Sequence, residues 1–359
     1  MIKIIYIHPS QLSERWIKYY CLEEMKMDFD LEYWDCSKIS SPSFQSNVLI
    51  RKDYLHIIKS KEDFEDNLKR IPKDSLLVID LHRTYGNLKL YKVIRKYFRN
   101  RILINFFSNT QRAHNNKYIA KINESTIGDF YTYFMVKRMF SCFTMSSKVG
   151  EKYRINHPDY EEYLACRESE PIISSPYIVY VDNYFPLHPE IGKRNPSFKA
   201  KESAIDFYKS LNSYFHDLEK KFSCSVVIAA HPSSNYAFNP FDGRKIIYNQ
   251  TCRLIKDCLK ACMHTSNSIS YVILYDKPVV LLSNSIFQQA SNEYKRLKGV
   301  SDLMNVDIVD TDKACNYKAF RTIDKAYADK YKDAYLIANN GIPNAIRFKQ
   351  YFEEIYHLL

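Results

Sequence analysis

Thr265, Ser266 and Ser268 stand in the stretch Ala261-Cys262-Met263-His264-Thr265-Ser266-Asn267-Ser268-Ile269-Ser270, after an apolar run of strand type and before Tyr271-Val272-Ile273-Leu274-Tyr275. Hydroxyls placed where a strand gives way to a helix offer side-chain oxygens and free backbone N–H groups to an anion. Two other apolar runs end in polar residues: Val226-Val227-Ile228-Ala229-Ala230 in His231-Pro232-Ser233-Ser234, and Tyr177-Ile178-Val179-Tyr180-Val181 in Asp182-Asn183. Open α/β sheets bind their ligands at the carboxyl ends of strands. The three strand ends together point to a phosphate held by hydroxyls, and so to a nucleotide-activated substrate.

Asp182 can act as a general base on a substrate hydroxyl, or it can be the first half of a turn-forming Asp-Asn pair. The segment alone supports both. His231 precedes a proline and cannot enter a helix quickly, so its ring is expected to face the crevice and donate to a departing phosphate; the same dipeptide recurs at His8-Pro9, His157-Pro158 and His188-Pro189. Arg244, with Lys245, falls in the loop after His231 and either touches the donor or is a solvated basic turn. Lys193 and Arg194 belong to a further loop that could close over the donor. Asp310-Thr311-Asp312 spells the D-x-D of metal-dependent transferases, but it follows the last strand and reads better as a solvated turn. No metal ligand set is assigned, and no metal or cofactor is required. If Asp182 only shapes a turn, Asp80 and His82, at the end of the 76–81 run, are the next candidate bases.

The elements that must carry these residues alternate. Strands are expected at 3–7, 31–34, 75–81, 101–107, 176–181, 226–230, 279–282 and 305–309, and helices at 12–27, 88–98, 204–222, 251–258, 323–338 and 344–357. This βαβ rhythm implies parallel sheets. Residues 129–140 are expected to be a tyrosine-, phenylalanine- and methionine-rich core helix, and the polar stretch 157–170 a linker. A chain of 359 residues suits two α/β domains. The expected architecture is two Rossmann-like domains facing each other across a cleft: 1–170 binding acceptor, 171–335 binding the nucleotide-sugar donor, and 336–359 a terminal helix crossing back to the first.

The order strand-Asp182, strand-His231-Pro232, Asn249-Gln250-Thr251-Cys252, His264-Thr265-Ser266-Asn267-Ser268 and Asp276-Lys277-Pro278 resembles the donor half of bacterial surface-polysaccharide glycosyltransferases of GT-B fold. Bacterial sialyltransferases, capsule Kdo transferases and polymerases that use CDP-glycerol are similar in pattern. The resemblance spans residues 176–285. It implies a base at Asp182, nucleotide and phosphate contacts at His231, Pro232 and the adjoining Ser233, and phosphate contacts at Thr265, Ser266 and Ser268. Where the sialyltransferase motif carries a second acid and a glycine, this chain has Asn183 and Tyr184. The implied reaction is metal-independent transfer of a sugar, from a CMP-sugar by preference, to a capsule, lipooligosaccharide or O-antigen acceptor. A nucleotide-sugar 2-epimerase of the same architecture is the rival, although it usually needs a glycine-rich phosphate turn that is missing here.

Seven glycines leave no G-x-G-x-x-G and no G-x-x-x-x-G-K-[ST] anywhere, which removes the dinucleotide-fingerprint and P-loop classes. Nine scattered cysteines without a C-x-x-C suggest free thiols in a reducing cytoplasm rather than disulfides or zinc. The net charge of +11 with thirty tyrosines suits an anionic inner-membrane surface better than nucleic acid, because no nucleic-acid motif accompanies it. The expected partners are thus a nucleotide-sugar donor, a glycan or glycolipid acceptor and an anionic bilayer to which a cytoplasmic protein attaches peripherally. A non-catalytic, basic nucleic-acid-binding protein is the remaining alternative.

Overall fold

The computed structural model describes residues 1–40, 50–98, 101–105, 127–139 and 143–358. These fall into two compact units, one from the described residues of Met1–Phe107, Asn115–Glu161 and Ile337–Leu359, the other from Glu162–Leu336. Each is a parallel sheet with helical connections.

In the first unit the strands are β1 (Lys3–His8), β2 (Asp30–Asp35), β3 (Leu55–Ile57), β4 (Leu76–Ile79), β5 (Arg101–Asn105), β6 (Phe143–Ser146) and β7 (Tyr153–Arg154), in the order β3-β2-β1-β4-β5-β6-β7. In the inner strands β1 and β4 successive side chains point to opposite faces, and both faces are covered, so Ile4–Ile7 and Leu76–Ile79 are continuous apolar runs. Ile4, Tyr6, Leu76 and Val78 enter one buried cluster, while Ile5, Ile7, Leu77 and Ile79 enter the other. Both faces of the sheet are core.

The expected single helix over 12–27 is two helices, Glu14–Tyr19 and Leu22–Asp28, broken where Cys21 takes φ 50°. That left-handed residue re-aims the chain so that Ile17, Tyr20, Leu22 and Met25 all reach the same core. The expected linker at 157–170 is largely the helix Pro158–Cys166. Its proline at the first position and its early acids, Asp159 and Glu161, are helix-start chemistry that a count of polar residues overlooks. Just before it, fully buried Asn156 ties this segment to the last one: its Nδ2 donates to Glu161 Oε1 (2.6 Å) and to the Ile342 carbonyl (2.8 Å), and its Oδ1 accepts from the Ala338 N–H (2.7 Å). Asn344 bonds the Asn156 backbone on both sides. Gly341 is required in this return, because its φ is +69° and a Cβ there would lie 2.6 Å from Tyr160 Oη. The helix Asn344–Leu358 then places Phe348, Phe352 and Ile355 against Ile4 and Tyr6 in one core.

The second unit has β8 (Tyr177–Val181), β9 (Ser225–Ala230), β10 (Ile246–Tyr248), β11 (Lys260–Met263), β12 (Val279–Ser283) and β13 (Ile308–Asp310), ordered β10-β9-β8-β11-β12-β13. The helix Ala200–Phe222 joins β8 to β9 and buries Phe207, Leu211, Tyr214, Phe215 and Leu218 at helical spacing. It stops where Ser223 turns left-handed, at φ 50°. The expected helix over 323–338 is shorter, Lys325–Tyr331, and continues as a π-type turn over Lys332–Leu336.

The second sheet repeats the order of the first six strands of the other, with the first strand of each in third place from one edge. It is the doubly wound arrangement, and the chain is an α/β protein built of two Rossmann-like units. Each sheet has one place where the order reverses, between β1 and β4 and between β8 and β11. Ligands of such sheets bind at that place, beyond the carboxyl ends of the strands.

Candidate functional site

At the reversal point of the second sheet, Asp182 follows β8 and His264-Thr265 follow β11. Asp182 is only 3 % exposed. Its Oδ1 accepts the Tyr184 N–H (2.8 Å), and its Oδ2 accepts the Tyr236 hydroxyl (2.7 Å) and, more weakly, the His231 N–H (3.4 Å). Burial pushes the carboxyl up to about 6, and the three donors only partly offset that. The side chain therefore shapes the turn, with Tyr184 held at φ 57°, and is also a stronger base than an ordinary aspartate.

His231 closes the next strand end. Its Nδ1 accepts the Ser233 N–H (3.1 Å), its carbonyl accepts the Ser234 hydroxyl (2.7 Å), and its ring meets that of His188 edge-on at 5.1 Å. Pro232 and Ser233 are exposed. Asp182, His188 and His231 thus gather at neighbouring ends of β8 and β9, with Tyr184 and Tyr236 as aromatic walls 5.2 Å apart. The sequence indicated Asp182 and His231 but not Tyr236, which lies in an irregular loop and whose signal is only its distance from the strand.

After β11, Thr265 is buried and Ser266 and Ser268 are partly open. Ser266 Oγ accepts the Ser268 N–H (3.2 Å), so this hydroxyl already helps form the turn into helix Ile269–Leu274. That helix has six residues, and its dipole adds little; hydroxyls and backbone N–H groups are what the turn can offer a phosphate. Beside it His264, pushed down to about 4 by burial, stacks on Phe287 at 4.6 Å and bonds the Leu282 carbonyl through Nδ1. Its Nε2, Tyr180 Oη, Ser283 Oγ and Asn284 Nδ2 are buried at the ends of β8, β11 and β12 without hydrogen-bond partners. A polar guest at this edge would satisfy them.

A groove of about 1200 Å³ runs between helix Ala200–Phe222 and the loop 235–244, lined by Tyr208, His216, Tyr236 and Phe238 among others. Tyr236 belongs to both, its ring lining the groove and its hydroxyl bonding Asp182. Arg244 lines it too, but its guanidinium grips Glu219 at both ends (3.0 and 2.8 Å) and reaches Asn212 and the Phe241 carbonyl. Those contacts brace the loop, so the side chain is not a solvated turn, and it lies on the wall of the groove. Arg194 is likewise paired with buried Glu293 (3.0 Å). In the D-x-D, Asp310 caps the Asp312 N–H and Asp312 accepts the Ser285 N–H, both serving the backbone.

The first sheet carries a second titratable cluster at its own reversal point. His8 ends β1 and Asp80 follows β4, with His8 Nε2 3.7 Å from Asp80 Oδ2. The Tyr20 hydroxyl donates to the same carboxylate, and Trp16 lies 4.2 Å from the His8 ring. His8 Nδ1 lies 3.1 Å from the Ser10 N–H and 3.3 Å from the Ser10 carbonyl, which leaves Nε2 as the ring nitrogen that faces Asp80. Burial drives His8 down to about 3 and Asp80 up to about 7, while a third of the Asp80 side chain still meets solvent. His82 is also shifted down by burial. Neutral histidine beside a carboxyl that titrates near neutrality is proton-transfer chemistry.

No protein-family model matches the chain, and no curated protein is similar to it in sequence. Solved structures share its fold. The UDP-GlcNAc 2-epimerase of Methanocaldococcus jannaschii, in complex with UDP-GlcNAc and UDP, is 10 % identical and aligns over 98 % of this chain and 100 % of its own with a TM-score of 0.50. The spinosyn forosaminyltransferase SpnP is 10 % identical over 99 % of both chains, with a TM-score of 0.46. The Acinetobacter baumannii MurG is 8 % identical over 100 % of both, also at 0.46. At these identities the likeness concerns the α/β fold alone, and the 2-epimerase, at a TM-score of 0.50, is the match that carries it.

Proposed function

We propose that the chain is a glycosyltransferase that moves a sugar from a nucleotide-activated donor, a CMP-sugar by preference, to a hydroxyl of a capsule, lipooligosaccharide or O-antigen acceptor. The observation that carries this reading is Asp182, a buried carboxylate of raised basicity at the reversal point of the second sheet, flanked by His231 and by partnerless polar atoms. In the proposed step the acceptor hydroxyl displaces Tyr236 Oη from Asp182 Oδ2 and gives its proton to that oxygen as it attacks the anomeric carbon. The bond from that carbon to the phosphate oxygen breaks, and His231, Thr265, Ser266 and Ser268 receive the departing phosphate. Pro232 and Ser233 shape the donor's edge of the loop. No step calls for a metal ion.

The direct test is a thermal-shift series with CMP, CDP, UDP and GDP, repeated on Thr265→Ala/Ser266→Ala. One nucleotide should stabilise the parent, and the double variant should bind it roughly 30- to 1,000-fold more weakly, the equivalent of about 2–4 kcal/mol of lost phosphate hydrogen bonds. Unchanged affinity in a folded variant moves the phosphate elsewhere. A second test uses Tyr236→Phe, which removes the donor that holds the Asp182 carboxylate down. The ascending limb of the pH–rate profile, set near pH 6 in the parent, should move to higher pH. A limb that stays in place or moves down would separate Asp182 from the rate.

A second reading, a nucleotide-sugar 2-epimerase, is favoured by the His8–Asp80 pair, since inversion at carbon needs a proton removed from and returned to that carbon, whereas glycosyl transfer moves only the acceptor's hydroxyl proton. Incubation with UDP-GlcNAc alone in deuterated water separates the two: deuterium in the recovered sugar marks the epimerase, and acceptor-dependent nucleotide release marks the transferase. Among the described residues no helix is long and apolar enough to cross a membrane. The charge of +11 supports attachment to an anionic bilayer as the route to a lipid-linked acceptor, with nucleic acid not a partner.

A further inference from the structure

We propose that Glu162, Cys166 and Cys252 form a binding site for a divalent cation of zinc type, held by two thiolates and one carboxylate. Glu162 and Cys166 sit four residues apart on helix Pro158–Cys166 and so share a face. Cys252 is the second residue of helix Thr251–Asp257. The three ligand atoms lie within 4.8 Å of one another. Zinc at about 2.3 Å from sulfur and 2.0 Å from oxygen sets tetrahedral donors roughly 3.5–3.8 Å apart, so shifts of about half an ångström per donor close the site.

The surroundings fix this geometry. Lys256 Nζ donates to the Ser169 carbonyl and Arg253 Nη2 to the Glu170 carbonyl (2.7 Å), which clamps the chain just beyond Cys166 to the helix that carries Cys252. The Tyr271 hydroxyl donates to Glu162 Oε2, orienting the carboxylate in the manner of an outer-shell partner. Tyr275 Oη lies 3.6 Å from Cys252 Sγ, and this phenol or a water can supply the fourth position. Cys252 is buried, whereas Glu162 and Cys166 are partly open, which leaves the ion a way in. Sulfur donors disfavour magnesium and calcium and suit zinc. A disulfide between the two cysteines would give the carboxylate turned toward them no role; a cation uses all three groups. The sequence hid the site because its ligands arrive as Glu-x-x-x-Cys on one helix and a distant single Cys on another, with no C-x-x-C.

The test is independent of any catalytic assay. The full chain, reduced and stripped with chelator under anaerobic conditions, is titrated with Co²⁺ and then Zn²⁺. The expected result is one equivalent of Co²⁺ with tetrahedral ligand-field bands and a thiolate-to-cobalt charge-transfer band, displaced by one equivalent of Zn²⁺. Cys166→Ser and Cys252→Ser should each weaken or abolish that band, Glu162→Gln should lower affinity at least about tenfold, and Cys258→Ser should change nothing. Circular dichroism identifies variants that fail to fold, and the parent spectrum stands without them. Absence of the band in the parent overturns the proposal. So does a band unchanged in folded Cys166→Ser and Cys252→Ser, or a Cys166–Cys252 disulfide found by peptide mass mapping in protein that takes up no metal.

Discussion

Asp182→Asn should lower kcat by roughly 10²–10⁴ while nucleotide affinity stays nearly constant. The amide keeps the volume and can still accept the Tyr184 N–H through its oxygen, so the turn survives. What it lacks is the ability to take a proton. The variant also tests the titration. A carboxyl that sits near 3.8 when unfolded and is raised to about 6 by burial contributes stability that is whole below about pH 4 and is lost as pH rises through 6. The asparagine has no such dependence, so the stability of the variant relative to the parent should improve between pH 4 and pH 7. Full turnover in Asp182→Asn leaves the carboxylate as a turn former and passes the base to Asp80.

The largest stability effect is expected at Asn156. Asn156→Ala removes three side-chain hydrogen bonds and strands the Ala338 N–H in a buried setting, while the Ile342 carbonyl keeps Arg347 Nε and Glu161 Oε1 keeps the Asn344 N–H. At about 1–1.5 kcal/mol each, the loss is roughly 3–5 kcal/mol. For a unit of this size that corresponds to about 6–20 °C in Tm. Glu161, already raised by burial, loses one of the donors that hold it down and should titrate higher still. Hydrogen exchange should localise the loss to the helix Asn344–Leu358. Normal protection there, with Tm unchanged, would show that the apolar contacts of Phe348 and Phe352 suffice alone.

What could be read from the sequence is what local periodicity encodes. Strands such as Tyr177–Val181 and Ser225–Ala230 are unbroken apolar runs between turn formers, and they were legible to within a residue or two. Leu55–Ile57 and Ile246–Tyr248, three-residue edge strands, carry too few apolar residues to stand out. The helix Ser291–Met304, with Glu293 buried against Arg194, reads as a polar surface segment until the ion pair is seen. The part of the 101–107 strand beyond Asn105, and residue 140 at the end of the aromatic helix, lie outside the described residues; within Ile127–Met139, Thr132 and Val136 are buried while Tyr131 and Phe134 are half exposed. At the candidate site, the placement of Asp182, His231 and the Thr265–Ser268 hydroxyls at strand ends was legible from the strand pattern. Tyr236, His188 and the grip of Arg244 on Glu219 were not, because each depends on where a loop folds back in space.

The return of the chain's last segment into its first sheet bears on how the protein is made. Phe348, Phe352 and Ile355 belong to the core that holds Ile4, Tyr6 and Leu76, yet they leave the ribosome after residues 162–336 have all been produced. A growing chain can therefore complete its second half while the first half still lacks a wall of its core, which inverts the usual front-to-back order of folding during synthesis. In that interval Met25, Phe29 and Leu31 border an unfilled apolar surface, a natural substrate for a chaperone and a hazard if translation stalls.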